Sequence, residues 1–102
     1  MQDADTRVLA AQAADELLSI QGVEASFVLF PDQNGFSISA RSLGGMNVQL
    51  IMEELGGGGH QTVAGVQLAN KRARDVEAQI IALTKKQLEE CRTDESNSFT
   101  RC

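Results

Sequence analysis

Leu55-Gly56-Gly57-Gly58-Gly59-His60 is the stretch on which the fold turns: four consecutive glycines run into the only histidine of the chain. A single glycine after Leu55 is enough to end a helix, because one residue in the left-handed conformation satisfies the last carbonyls. The other three ask for a different reason, since a glycine in place of alanine costs roughly 0.5–1 kcal/mol in a regular element. Close approach supplies one. With no Cβ in the way, successive backbone N–H groups can converge on a single anion, and His60 adds a side-chain donor at the rim. A plain flexible loop followed by a structural histidine is the alternative. No Lys-Ser or Lys-Thr follows the last glycine, so the run is not a Walker loop, and it does not fit the dinucleotide fingerprint either.

Working outward, Val48, Ile51, Met52 and Leu55 fall at i, i+3, i+4 and i+7, the spacing of an amphipathic helix, with Asn47 as its N-cap. Before it, Phe36, Ile38 and Ala40 alternate with Ser37, Ser39 and Arg41, a strand with one apolar face. Arg41 ends that row beside Ser42, where its planar fork suits a phosphate; a solvated, neutral arginine is the alternative. Pro31 to Gly35 reads as a turn through the Asn-Gly hairpin signal. Residues 24–30 precede it as a strand whose unbroken Phe27 to Phe30 run implies burial on both faces. Residues 3–21 read as a packing helix, with Val8, Leu9, Ala11, Leu17, Leu18 and Ile20 inward and Gly22 as the stop. Beyond His60, Val66-Gln67-Leu68 reads as a short strand and Asn70 as the next N-cap. Residues 71–90 form a last helix with Val76, Ile80, Leu83 and Leu88 inward. The order α-β-β-α-β-α implies an α/β fold, a small mixed β-sheet flanked by helices, in one domain over residues 1–91. Residues 92–102 are polar and aperiodic, as in a frayed tail.

Composition narrows the partners. At 102 residues, with 42% hydrophobic and 23% charged residues, the chain has an ordinary globular make-up. Its net charge of −5 argues against tight nonspecific binding to long nucleic acid, and four aromatic residues, all Phe, are few for a protein that binds single strands by stacking. The charge is uneven. Residues 1–34 carry one basic against six acidic residues and residues 35–86 six against four, so the glycine run sits in the basic stretch. A small phosphorylated ligand suits it better than a polymer. Cys91 and Cys102 form no Cys-x-x-Cys pattern, which leaves out a zinc site of the usual spacing. Without a signal peptide or an apolar run of membrane-spanning length, a reducing, cytoplasmic setting is expected.

Together, Ile38-Ser39-Ala40-Arg41-Ser42, Asn47-Val48-Gln49, Ile51-Met52-Glu53 and the glycine-histidine run resemble the DHHA1 domain of DHH-family phosphoesterases. That superfamily shares a Gly-Gly-Gly-His-x-x-Ala-Ala-Gly signature, and Gly57 to Gly65 matches it except at Val63, a small apolar residue in place of alanine. Gly56 and the Asn-Val-Gln segment are most similar to the C-terminal domain of GdpP-type cyclic-di-AMP phosphodiesterases. The likeness covers residues 4–90.

The resemblance implies that a preceding DHH domain holds two manganese ions, while the DHHA1 domain binds the phosphate and nucleotide of the substrate. The chain itself would hold no metal and supply no catalytic residue. Carried over, Gly57, Gly58, Gly59 and His60 would hold a phosphate, with Arg41, Ser39 and Ser42 from the strand side and Asn47 nearby. The implied partners are a phosphorylated dinucleotide or short oligonucleotide and the DHH domain of the parent protein, for which a membrane anchor in preceding N-terminal segments is a further candidate. A homodimer is a further candidate. With one histidine and no Asp-His-His triplet, the chain reads as a C-terminal domain that binds without hydrolysing. Related domains in alanyl-tRNA synthetase give the alternative, an RNA-binding accessory module.

Overall fold

The computed structural model describes residues 3–32 and 35–93, which form three helices and four strands. The helices are α1 (Asp3–Leu17), α2 (Val48–Glu54) and α3 (Ala73–Thr93); the strands are β1 (Ala25–Asp32), β2 (Gly35–Ser42), β3 (Gly58–Gly59) and β4 (Val63–Ala69). The strands pair in the order β1-β2-β4-β3, every neighbour antiparallel.

The α/β class is as expected, but two details differ. The middle of the glycine run is itself a strand, and the sheet contains no parallel pair. Both differences have one cause. The β2-α2-β3 crossover brings β3 back in the direction of β2, as a parallel unit would, and β4 then folds back and inserts between them. Asp32 pairs with Gly35, so two residues join β1 to β2. Those two, Gln33 and Asn34, hold the first half of the expected Asn-Gly turn and lie outside the described residues, as do residues 94–102 of the expected tail.

The period-2 pattern of β2 decides what each face of the sheet carries. Phe36, Ile38 and Ala40 point into a core shared with Met46, Val48, Ile51, Met52, Ala64, Val66, Val76 and Ile80. Helices α2 and α3 cover that face. Phe27, Val28 and Leu29 are only half-buried, because β1 is an edge strand and the helices do not reach far enough to close over both of its faces.

Helix α1 covers the other face, and here the packing departs from that expected, with only Ala11 and Leu18 of the expected residues half-buried. Ala10 and Ala14 are buried, whereas Val8, Leu9, Leu17 and Ile20 are exposed. The reason lies in what α1 packs on. This face of the sheet offers Ser26, Ser37 and Ser39, all buried, and the Ser26 hydroxyl donates to the Ala14 carbonyl at 2.7 Å. A floor of small hydroxyls admits alanines at close range and turns larger side chains outward. The helix also ends sooner than expected, at Leu17, followed by three-residue bonds from Leu18, Ser19 and Ile20 to Asp15, Glu16 and Leu17.

Helix α3 starts later and ends later than the 71–90 expected. Asn70 is no N-cap: it takes φ +57° at the end of β4, and the first helical bond runs from the Val76 N–H to the Arg72 carbonyl. Val76 and Ile80 are buried and Leu83 half-buried, but Leu88 is exposed. The next inward contact is polar. The Gln87 amide accepts from the Asn47 N–H at 2.7 Å and donates to the Asn47 carbonyl at 3.1 Å, holding both backbone groups of the α2 N-cap. Gln87→Ala leaves the Asn47 N–H without a partner, while the N-cap carbonyl keeps its helical one, and is expected to cost about 1–2 kcal/mol, read as a lower urea midpoint with unchanged slope.

Candidate functional site

Each glycine of the run has its own role. Leu55 is the C-cap of α2. The Gly56 N–H bonds the Glu53 carbonyl and the Gly57 N–H the Met52 carbonyl at 2.8 Å, with Gly56 at φ +96°, which is a Schellman ending. Gly57 then lies against β4, where a Cβ would press into the Gly65 carbonyl oxygen and come within 2.5 Å of Val66 Cβ. Gly59, at φ +141°, faces Ala64 Cα and the Val63 carbonyl oxygen, each 2.5 Å from where its Cβ would stand. Gly56 and Gly58 both have open space, with nothing within 4 Å of a Cβ, and of the two only Gly56 needs its positive φ. Packing accounts for Gly57 and Gly59, helix ending for Gly56, and neither for Gly58.

The run continues into a hairpin. His60 and Val63 exchange both backbone bonds, at 2.6 and 3.3 Å, and Gln61-Thr62 forms its tip. The tip is tied to the segment before α2: the Ser42 N–H donates to the Thr62 carbonyl, the Val48 N–H to the Gln61 carbonyl, and the Gln61 amide to the Gly44 carbonyl. A glycine-rich hairpin, mobile in isolation, is thereby set against the sheet.

Cross-strand register sorts the α1 face into three rows. Phe30, Ser37 and Gln67 make the first; Val28, Ser39, Gly65 and Gly58 the second; Ser26, Arg41 and Val63 the third, continued to His60 by its pairing with Val63. Alternate residues on a strand are about 6.8 Å apart, so the rows step across the sheet at that interval. Helix α1 covers the β1–β2 side. Asp15 stands over the third row, its carboxylate 3.0 Å from Arg41 Nε. Arg7, eight residues earlier, is about 12 Å back along the helix, which brings it over the first. The uncovered side is an open cleft of about 540 Å³, with Ser37, Ser39, Gly65 and Gln67 among its floor, Arg7 on the helix side and Gly56 and Gly57 on the other.

The expected site residues are distributed unevenly over this surface. Ser39 lines the cleft at 9% exposure, and its hydroxyl makes no hydrogen bond among the described residues. Gly57 lines the cleft, Gly58 lies in the Ser39 row, and Gly59 is turned onto β4. His60 is exposed at the rim of the third row. Arg41 is 15% exposed and already engaged, by Asp15 and, through Nη1, by the Ala40 carbonyl at 2.9 Å. Ser42 points to the core face, its hydroxyl donating to the Met46 carbonyl and accepting from the Gly44 N–H. Asn47 caps α2 through the Leu50 N–H. The structure therefore brings Ser39 and Gly57 to one cleft with Gly58 beside it in the Ser39 row, sets Arg41 and His60 in the neighbouring row, and uses Ser42 and Asn47 to build the loop beneath. Val63 is exposed, so its departure from the alanine of the signature adds no bulk to the core.

Arg7, Ser37 and Gln67 are the lining residues that the motif did not single out. Arg7 is the only basic residue among the first 34, and that was the one signal available for it. Among the described residues no three His, Cys, Asp or Glu side chains lie close enough to hold a metal ion. No described helix is long and apolar enough to cross a membrane.

A model of the DHHA1 domain family matches residues 2–90. The chain belongs to the DHHA1 family. This DHHA1 domain is 56% identical over 77 residues to the cyclic-di-AMP phosphodiesterase PdeA of Listeria monocytogenes serotype 1/2a (strain 10403S), a match that takes in 74% of the chain and 12% of the relative. It is 53% identical over 75 residues to the cyclic-di-AMP phosphodiesterase GdpP of Geobacillus thermodenitrificans (strain NG80-2), covering 72% of the chain and 11% of the relative. It is 61% identical over 64 residues to GdpP of Bacillus subtilis (strain 168), covering 62% and 10%. The chain thus spans about a tenth of the length of these relatives.

Proposed function

We propose that this domain binds the phosphate and nucleotide of a cyclic-di-AMP or short-oligonucleotide substrate on behalf of a DHH-family phosphodiesterase. One observation carries the proposal: in a chain akin to cyclic-di-AMP phosphodiesterases, the one glycine of the run with neither a packing nor a helix-ending role lies in a row with Gly65 and the unpartnered Ser39 hydroxyl, beside an open cleft. The absent Cβ atoms of Gly58 and Gly65 let a phosphate reach the sheet surface, where Ser39 donates to it. Arg41 and His60 flank it in the next row and offset its charge, a fixed electrostatic contribution of the kind that needs no reorganisation during reaction. Holding the phosphodiester in one orientation is the other contribution. Metal-ion chemistry, on this proposal, belongs to a DHH domain of the parent protein.

The test is a titration of the isotope-labelled chain with the linear dinucleotide pApA, followed by amide chemical shifts. Shifts concentrated at Ser39, Gly58, His60 and Gly65 are expected. No response at millimolar pApA, or shifts confined to a second groove, lined by Leu50 and Glu54 of α2 and Leu83 and Lys86 of α3, would overturn the proposal. Tighter binding of a tRNA than of pApA would replace it with the RNA-binding alternative, against which the net charge of −5 weighs.

A further inference from the structure

The first row of the cleft has chemistry that a phosphate does not need. Gln67 is exposed, lines the cleft, and its side-chain amide makes no hydrogen bond among the described residues. It shares its row with Ser37, whose hydroxyl is already committed to Asp32 Oδ2 at 2.6 Å, and with Phe30, a buried aromatic floor at the β1 end. Arg7 borders the same end from α1, also without a hydrogen bond or ion pair among the described residues. This end lies one row, about 6.8 Å, from the Ser39-Gly65-Gly58 row. It thus combines an apolar floor, a planar cation and a single free donor-acceptor pair, at a short step from the candidate phosphate position.

We infer that the Phe30-Ser37-Gln67 end of the cleft is a nucleobase subsite in which Gln67 selects adenine. The inference rests on the proposed function and adds to it the residue that sets base identity. A glutamine amide offers one donor and one acceptor side by side, which pairs with adenine N7 and N6; guanine offers two acceptors on that edge, O6 and N7, and asks for two donors. Arg7 covers the base, since a guanidinium stacks on aromatic faces. Ser37 takes no part in the reading, its hydroxyl proton being held by Asp32.

Titrations of the chain with AMP, GMP and inorganic phosphate test this. The native chain is expected to favour AMP over GMP by about fivefold or more, the lower end of what one bidentate base contact gives. Gln67→Ala should remove that preference by weakening AMP alone, with phosphate binding unchanged. Gln67→Arg, which supplies two donors suited to guanine O6 and N7, should invert the preference, a result that a merely structural role for Gln67 would not produce. Equal AMP-to-GMP ratios in all three proteins, with AMP still bound, would overturn the base subsite and leave the phosphate site standing. A native chain that binds none of the three probes, and no pApA, would overturn both.

Discussion

Gly57→Ala is expected to destabilise the domain by about 3 kcal/mol, at the upper end for overpacking, while Gly58→Ala changes stability by no more than about 0.5 kcal/mol. The two sites are adjacent in sequence and chemically identical. What separates them is the neighbour that the new methyl meets. At Gly57 it runs into the Gly65 carbonyl oxygen and the Val66 side chain, and neither can yield alone: Val66 belongs to the core, and Gly65 is paired on both sides, with Ser39 and with Gly58. The only relief is to move the Schellman turn off β4, which breaks the β3–β4 pairing. At Gly58 the methyl enters open space. Urea unfolding of both variants measures the contrast, and against a typical domain stability of about 5–15 kcal/mol the Gly57 loss is large. Binding should follow the opposite order. Gly58→Val fills the space beside Gly65 and Ser39 and is expected to abolish pApA binding in a folded protein. Equal destabilisation by alanine at the two positions would mean that the run acts as a flexible loop.

How far the molecule was legible in its sequence follows from which interactions are local. The β2 alternation, the α2 spacing and the Asn47 cap are decided within a few residues, and all three are present in the structure. The helix stop after Leu55 is equally local. The inward face of α1 was not legible, because it depends on what lies beneath it: serines from β1 and β2, brought there only by the sheet. The same holds for Arg7 and Gln67, which are 60 residues apart and meet one cleft only because α1 crosses the sheet at the angle that sets Asp15 over Arg41. The glycine run shows the limit most clearly. Read along the chain, its three surplus glycines suggest one shared purpose. In the fold two of them admit β4, and the third, Gly58, meets nothing.

Arg41→Ala is expected to weaken pApA binding by about tenfold to a hundredfold, the range for losing a hydrogen bond to a charged group. The structure refines what this substitution removes. A guanidinium carries five N–H donors, and two are engaged, Nε by Asp15 and one on Nη1 by Ala40, which leaves three for a phosphate. Asp15 is 64% exposed, so the ion pair contributes little to stability; its effect is to fix where the fork points. Asp15→Ala is therefore expected to leave the urea midpoint nearly unchanged and to weaken pApA binding less than Arg41→Ala does. On the proposed function, His60 faces the same phosphate from the other side of Val63, two strand spacings or about 9.6 Å from Arg41 between Cα atoms. Groups that share a partner are not additive. Calorimetric titration of Arg41→Ala, His60→Ala and the double variant should give a combined loss smaller than the sum of the two. Strict additivity, or native affinity in Arg41→Ala, would show that the third row does not face the phosphate. The second row, with Ser39, Gly58 and Gly65, would then hold it alone.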